Sequence, residues 1–356
     1  MKPLLPQPLP TYPAAVVGMA DPLERDSLFQ LNLLIWASLP QPPGAPVTPA
    51  VHNAGYVLWA LEQPLDAGLA ELARLRASGP QINPNPTADG VLRELRSDTY
   101  VLIECKPGSF DVGSGRAPQA RGLIAAGGNA ASRLGLGRTA SAEACYLVPL
   151  DEAPSMDATL VALAGEVAGQ GFTACSTGSL GVAVKPDGAY LGLTSQPLGA
   201  ARLPRLLIPD ERVVQVPPGQ DPRPLYVLPW IPDAPDSTDL TAFREKLRAH
   251  VLAWLGRAPT GGEVVIAFDE LLDEVTRGVF RLWRDRSSLR GRVFPAVGRL
   301  MDLLLGSDGR VLIRQSEVRL SLHAETDREE LMERVRTAGL PANALEGLQL
   351  PLEEEN

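Results

Sequence analysis

Lysine is nearly absent from this chain. Of its 33 basic residues, four are lysine (Lys2, Lys106, Lys185 and Lys246) and the remainder arginine. Histidine and cysteine are equally sparse, three of each. His52, His250 and His323 lie far apart, which excludes HExxH zincins and HNH-type sites, whose ligands converge from one local element. Cys105, Cys145 and Cys175 form no CxxC pair and leave one thiol odd. A disulfide framework or zinc finger is thereby excluded, and a reducing cytoplasm is the expected location. The absence of a GxxxxGK[ST] stretch excludes a P-loop ATPase. No run approaches the roughly 18 apolar residues of a membrane span, so none is expected. The N-terminus has one lysine, then prolines and no long apolar stretch, so no signal peptide is expected either.

What is present suggests a folded chain of about two domains, since 356 residues compare with about 150 per domain. Hydrophobic residues make up 45% and charged residues 21%, enough for a core and too little charge for disorder. The net charge, 33 − 42 = −9, means that any polyanion site must be a local patch.

Eleven of the 34 prolines fall in residues 1–50, which predicts an extended arm, with a short helical segment over Asp26–Ser38. Leu58, Leu61 and Leu65, then Leu69, Leu72 and Leu75, predict a helix over 51–79 that ends at Gly79-Pro80. Val91–Leu95 and Tyr100–Lys106 read as a hairpin around Arg96–Thr99. Helices over Gln119–Leu134 and Ser155–Ala168, and strands at Ala144–Val148, Leu180–Val184 and Ala189–Leu193, complete a mixed α/β domain at 51–195. Residues 196–236 are proline-rich and read as a linker. The last unit, 237–356, is mainly helical (Asp239–Leu255, Phe268–Trp283, Val293–Leu305, Asp327–Thr337), with a small β-hairpin at Arg310–Ile313 and Val318–Leu322.

The chemistry-bearing pattern is Asp89 ahead of one strand and Glu104-Cys105-Lys106 closing the next. Residues two apart on a strand share a face, so Glu104 and Lys106 are neighbours. A register pairing Leu95 with Tyr100, Val91 with Glu104 and Asp89 with Lys106 brings Asp89 to the same side, whereas a slip of one residue sends it away. Asp89, Glu104 and the main-chain carbonyl of Cys105 offer the hard oxygen ligands that Mg²⁺ or Mn²⁺ prefers. Such an ion polarises a phosphodiester and activates a water. Lys106 is placed to stabilise the developing charge and to keep the carboxylates ionised. Of the four lysines, only Lys106 has an acid two residues earlier.

This pattern resembles the PD-(D/E)XK nuclease superfamily over roughly residues 51–195. The resemblance implies a restriction-endonuclease-like mixed sheet flanked by helices, and a Mg²⁺- or Mn²⁺-dependent nuclease acting on DNA, less often RNA. Asp89 matches the metal-binding aspartate, and Glu104 and Lys106 the paired strand-end residues. Gln119 stands where several members carry a substrate-facing glutamine, and Glu71 or Glu62 is the candidate for an extra upstream acid. Two departures stand out. Ala88 replaces the signature proline, and the Asn-Pro repeat at 83–86 leaves little room for the strand that usually precedes the aspartate's strand. By analogy the resemblance points to prokaryotic DNA defence or processing. The low overall charge and the long proline-rich segments suggest a component of a larger assembly with protein partners, and a homo-oligomer stays open. The alternatives are a catalytically idle subunit that keeps the fold as a scaffold or DNA-binding module, and an adaptor unrelated to nucleic acids.

Residues 277–299 carry Arg277, Arg281, Arg284, Arg286, Arg290, Arg292 and Arg299 against one acid, Asp285. Arg277, Arg281 and Arg284 fall on one face of the predicted helix. The segment is the best place for a phosphate backbone to dock. The opposing reading is a solvated face that pairs with acids elsewhere, and the two stand even. The acidic run Asp269–Glu274 reads as a helix first turn complementing the dipole, and Trp230 and Trp254 as core or interface anchors.

Overall fold

The computed structural model describes residues 23–41, 47–65, 79–128, 140–185, 188–192, 199–207, 211–214, 226–230, 237–306 and 309–338. Its centre is a seven-stranded mixed sheet whose spatial order follows the chain. The strands are β1 (Tyr56–Pro64), β2 (Thr87–Glu94), β3 (Thr99–Cys105), β4 (Ser141–Pro149), β5 (Ser176–Lys185), β6 (Gly188–Gly192) and β7 (Glu211–Val214). β1, β2 and β3 form an antiparallel meander, β3, β4 and β5 run parallel, and β6 and β7 return antiparallel. β3 and β4 are almost continuously apolar, as strands covered on both faces must be. The crossovers β3–β4 and β4–β5 run through the helices Ala117–Gly128 and Ala153–Gly169. Both pack on one face of the sheet, against Val91, Leu102 and Tyr146. Two parallel crossovers of the same hand advancing in one direction must share a face.

The other face is covered by α1 (Ser27–Ser38), the segment Tyr226–Trp230 and the C-terminal unit, joined in one continuous apolar core. The Asp26 carboxylate caps α1, accepting from the Leu28 amide at 2.8 Å. Leu34 and Ile35 of α1 are fully buried. Asn32 pins the 226–230 segment with both ends of its amide. Nδ2 donates to the Leu228 carbonyl at 2.7 Å, and Oδ1 accepts from the Leu228 amide at 2.8 Å.

After α1 come the helices Ala50–Asn53 (α2), Ala117–Gly128 (α3), Ala153–Gly169 (α4) and Arg202–Leu206 (α5). The C-terminal unit adds α6 (Ser237–Leu255), α7 (Phe268–Val275), α8 (Arg286–Leu305) and α9 (Glu325–Thr337). Its antiparallel sheet has the order β8-β10-β9, with β8 at Gly262–Ala267, β9 at Val311–Ile313 and β10 at Glu317–Leu322. The expected hairpin is β9–β10, and β8 makes it a three-stranded sheet.

Four expectations are corrected. Residues 56–64 are strand β1 rather than helix, which supplies a strand ahead of the aspartate's strand; 66–78 lie outside the described residues. The sheet does not stop at 195, because α5 and β7 fall inside the stretch read as a linker. The arm at 1–50 contributes α1 to the core, while 1–22 and 42–46 lie outside the described residues. The helix expected over Phe268–Trp283 ends at Val275. Gly278, with φ of 85°, closes it by donating its amide to the Asp273 carbonyl at 2.8 Å.

Candidate active site

The hairpin register differs by two residues from the expected one. Gly90 pairs with Ile103, Val91 with Leu102 and Arg93 with Tyr100, around a turn at Leu95–Asp98. Continued by one step, this places Asp89 across from Glu104 rather than Lys106. A shift of two preserves the alternation of side chains, so the three residues still converge. Asp89 Oδ2 accepts from the Cys105 amide at 2.7 Å. Lys106 Nζ donates to Glu104 Oε1 at 2.6 Å. Glu104 is 4% exposed, and its Oε2 is buried without a hydrogen-bond partner.

Burial dominates the electrostatics. It pushes the Glu104 carboxyl up to about 7, helped by the negative charge of Asp89 and opposed by Lys106. The Asp89 carboxyl is also raised, by burial first, against the pull of its Cys105 hydrogen bond and of Lys106, with Glu62 adding to the rise. Two acids that resist ionisation side by side form a site whose charge is incompletely compensated by the protein.

The end of β3 is held from both sides. The Lys106 amide donates to the Leu147 carbonyl of β4 at 2.8 Å, and the Lys106 carbonyl accepts from Gln30 Nε2 of α1 at 2.8 Å. The Cys105 carbonyl takes a long contact from Ser27 Oγ, 3.4 Å. In donor type, the carboxylates of Asp89 and Glu104 and this carbonyl are the hard oxygens that Mg²⁺ or Mn²⁺ prefers. The orphaned Glu104 Oε2 is the observation in favour. No group of three or more His, Cys, Asp or Glu side chains placed to hold a metal ion occurs among the described residues.

Glu62, one of the two candidate upstream acids, sits on β1 rather than on a helix. Its backbone is left-handed, with φ of 43°, a conformation uncommon outside glycine. Arg292 of α8 pairs with it at 2.8 Å. Glu71, the other candidate, lies outside the described residues. Gln119 is bound to its own chain at both ends: Oε1 accepts from Asn83 Nδ2 at 2.6 Å, and Nε2 donates to the Thr87 carbonyl at 2.8 Å. It braces α3 against the lead-in to β2. Ala88, at the signature proline's position, is fully buried.

Sequence reasoning missed Tyr146, the register partner of Glu104 on β4. Its phenol is fully buried, its hydroxyl has no partner, and burial followed by the charges of Glu104 and Asp89 pushes its pKa well up. No sequence motif marks it; only the pairing of β3 with β4 brings it alongside. Also missed was a cavity of about 230 Å³ beside the hairpin end. Glu62, Asp89 and Lys106 contribute to its wall, as do Leu28 of α1, Trp230 and Trp283.

The predicted nucleic-acid-binding arginines are engaged within the molecule. Arg277 stacks over Trp36 at 4.7 Å and Arg284 over Trp59 at 3.7 Å. Arg281 pairs with Asp273. Arg290 forms a two-pronged pair with Asp269, at 3.0 and 2.6 Å. Because α7 ends at Val275, Arg277, Arg281 and Arg284 share no helix face. Trp36 and Trp59 belong to α1 and β1, so these stacks fasten the C-terminal unit to the sheet domain. Trp283 reinforces the junction by bridging Leu61 on the β1 edge. Among the described residues, no helix is long and apolar enough to cross a membrane. Neither a family model, nor a curated protein, nor a solved structure matches this chain.

Proposed function

We propose that the chain is a divalent-metal-dependent nuclease whose site is Asp89, Glu104 and Lys106. The observation that carries this reading is the buried, unpartnered Glu104 Oε2 beside Asp89 at a hairpin end closed by Lys106. A fold keeps such a costly arrangement where charge is supplied from outside. β1 answers the missing-strand departure, and the mixed sheet between helical layers is consistent with the resemblance. A divalent cation, when bound, supplies Lewis-acid activation of the phosphodiester and of a water. The chain's own part is then specific. Asp89 is oriented by the Cys105 amide. Lys106 is held beside Glu104, from which its ammonium can turn toward a phosphate oxygen that gains charge. DNA is the preferred substrate and a prokaryotic defence or processing assembly the setting, both by resemblance.

The test is cleavage of end-labelled DNA with Mg²⁺ or Mn²⁺. We expect metal-dependent products, and a loss of roughly a hundredfold or more in Asp89→Asn and in Lys106→Ala. Products that persist in both variants, or none with either metal, would overturn the reading. The closed Glu104–Lys106 pair and the apolar cover of the cavity favour a second reading, an idle subunit that binds DNA; binding without cleavage supports it.

A further inference from the structure

We propose that the cavity beside Asp89 and Lys106 is a subsite for one unpaired nucleotide, its base held against Trp230 and Trp283 and its phosphate turned toward Lys106. The inference deepens the nuclease reading and rests on it for the fate of the bound strand. Size is the first argument. A dry cavity of about 150 Å³ accepts benzene, so about 230 Å³ accommodates one ring of a base's size.

The second argument is the chemistry of the walls. They combine polar side chains, Asp89, Glu62 and Lys106, of which Lys106 is the one cation among the lining residues, with two indoles, Trp230 and Trp283. A nucleotide has the same two kinds of part, a charged phosphate and a flat ring. Base–aromatic stacking is the common device for holding unpaired bases, and it is sequence-tolerant because every base has a π-face.

Rigidity is the third. Trp230 packs on Phe243 with ring centroids 4.5 Å apart, and Trp283 on Phe280 at 6.0 Å. Each indole is 7% exposed, so the rings are fixed before any ligand arrives, which lowers the ordering cost of binding. The cover is also fixed. Asn32 ties the Leu228 backbone to α1 on both sides of the amide, and Trp283 is bridged to Leu61. Three separate chain segments thus wall the space: α1, the 226–230 segment and the stretch around Trp283.

The experiment is calorimetric titration of the full chain with thymidine 5′-monophosphate in the presence of Mn²⁺, together with cleavage of single strands and blunt duplexes of one sequence. We expect saturable binding, weakened roughly tenfold (about 1.4 kcal/mol) by Trp283→Ala and kept by Trp283→Phe. Should Trp283→Ala fail to fold, Ser27→Phe fills the same cavity from α1 and is expected to weaken binding as much. Single strands should be cut at least tenfold faster than blunt duplexes. Absence of saturable binding, or binding indifferent to Ser27→Phe, overturns the subsite. If Asp89→Asn abolishes cleavage but duplexes are cut as fast as single strands, the subsite is wrong and the nuclease reading stands. If the nucleotide binds as expected and no strand is cut, the subsite stands and the nuclease reading falls.

Discussion

The hairpin end and the arginine-rich segment are the two most conspicuously charged parts of the chain, and they have opposite physical characters. At the hairpin end the charges are few and buried, and they are incompletely partnered: Glu104 has an orphaned oxygen and Asp89 a raised pKa. Along 277–292 the charges are many and range from exposed to half-buried, and Arg277, Arg281, Arg284, Arg290 and Arg292 all meet an acid or an indole of the same molecule. An uncompensated buried carboxylate costs several kcal/mol, whereas an exposed ion pair contributes about 1 kcal/mol or less. Density of charge is thus a poor guide to a site. The better guide is whether the fold has left a costly group unanswered.

The largest expected effect separates the two regions by activity. Glu104→Gln preserves shape and volume but removes the carboxylate. It is expected to lower cleavage roughly a hundredfold or more, while Arg290→Ala stays within a few-fold of the parent. Initial rates on one labelled substrate measure both. The reverse ranking would move the chemistry to the arginine segment and collapse the contrast.

Acidity sharpens the comparison further. Burial pushes the Glu104 carboxyl up to about 7 in the folded chain, from an ordinary 4.5. Between those values the folded state holds more protons than the unfolded one, so stability from this group falls as pH rises through the window. Above 7 the penalty is complete, and toward 4.5 it is relieved. Wild type is therefore expected to lose stability relative to Glu104→Gln between about pH 5 and pH 8, by on the order of 1–3 kcal/mol. Urea unfolding of both proteins at both pH values measures this. A difference that does not change with pH would show that Glu104 is not burdened by burial.

How much of this was legible in the sequence depended on whether the signal was local. The hairpin, the Glu-x-Lys ending and the alternation that keeps Asp89 beside them were readable, because a period of two is intrinsic to strands. The register was missed by two, since the turn lies at Leu95–Asp98 and Leu95 is exposed rather than paired. β1 was misread for a specific reason. A bulge between Leu58 and Ala60 inserts one residue, so the inward-facing Leu58 and Leu61 stand three apart, like a helix repeat. Gln119 sits at the start of a real helix, yet nothing local tells that Asn83 and Thr87 take up its amide. Tyr146 and the indole-lined cavity depend on strand pairing and on contacts between distant segments, which no linear pattern encodes.

The smallest expected effect tests the arginine segment on its own terms. Arg281 and Arg290 are 70% and 42% exposed and each pairs with an acid of α7. If those pairs are their whole role, Arg281→Ala and Arg290→Ala each cost about 1 kcal/mol or less in urea unfolding. Binding of DNA, measured over a range of salt, should then keep the slope of log K against log salt seen in the parent. An arginine that docks on a phosphate behaves otherwise. Its removal lowers that slope by about one unit and weakens binding evenly across sequences. The pairing with Asp269 and Asp273 competes directly with any phosphate for the same guanidinium faces, so the two roles exclude one another at a given moment. An unchanged slope in both variants therefore assigns this segment to holding the molecule together and leaves recognition of the strand to the hairpin end and its cavity.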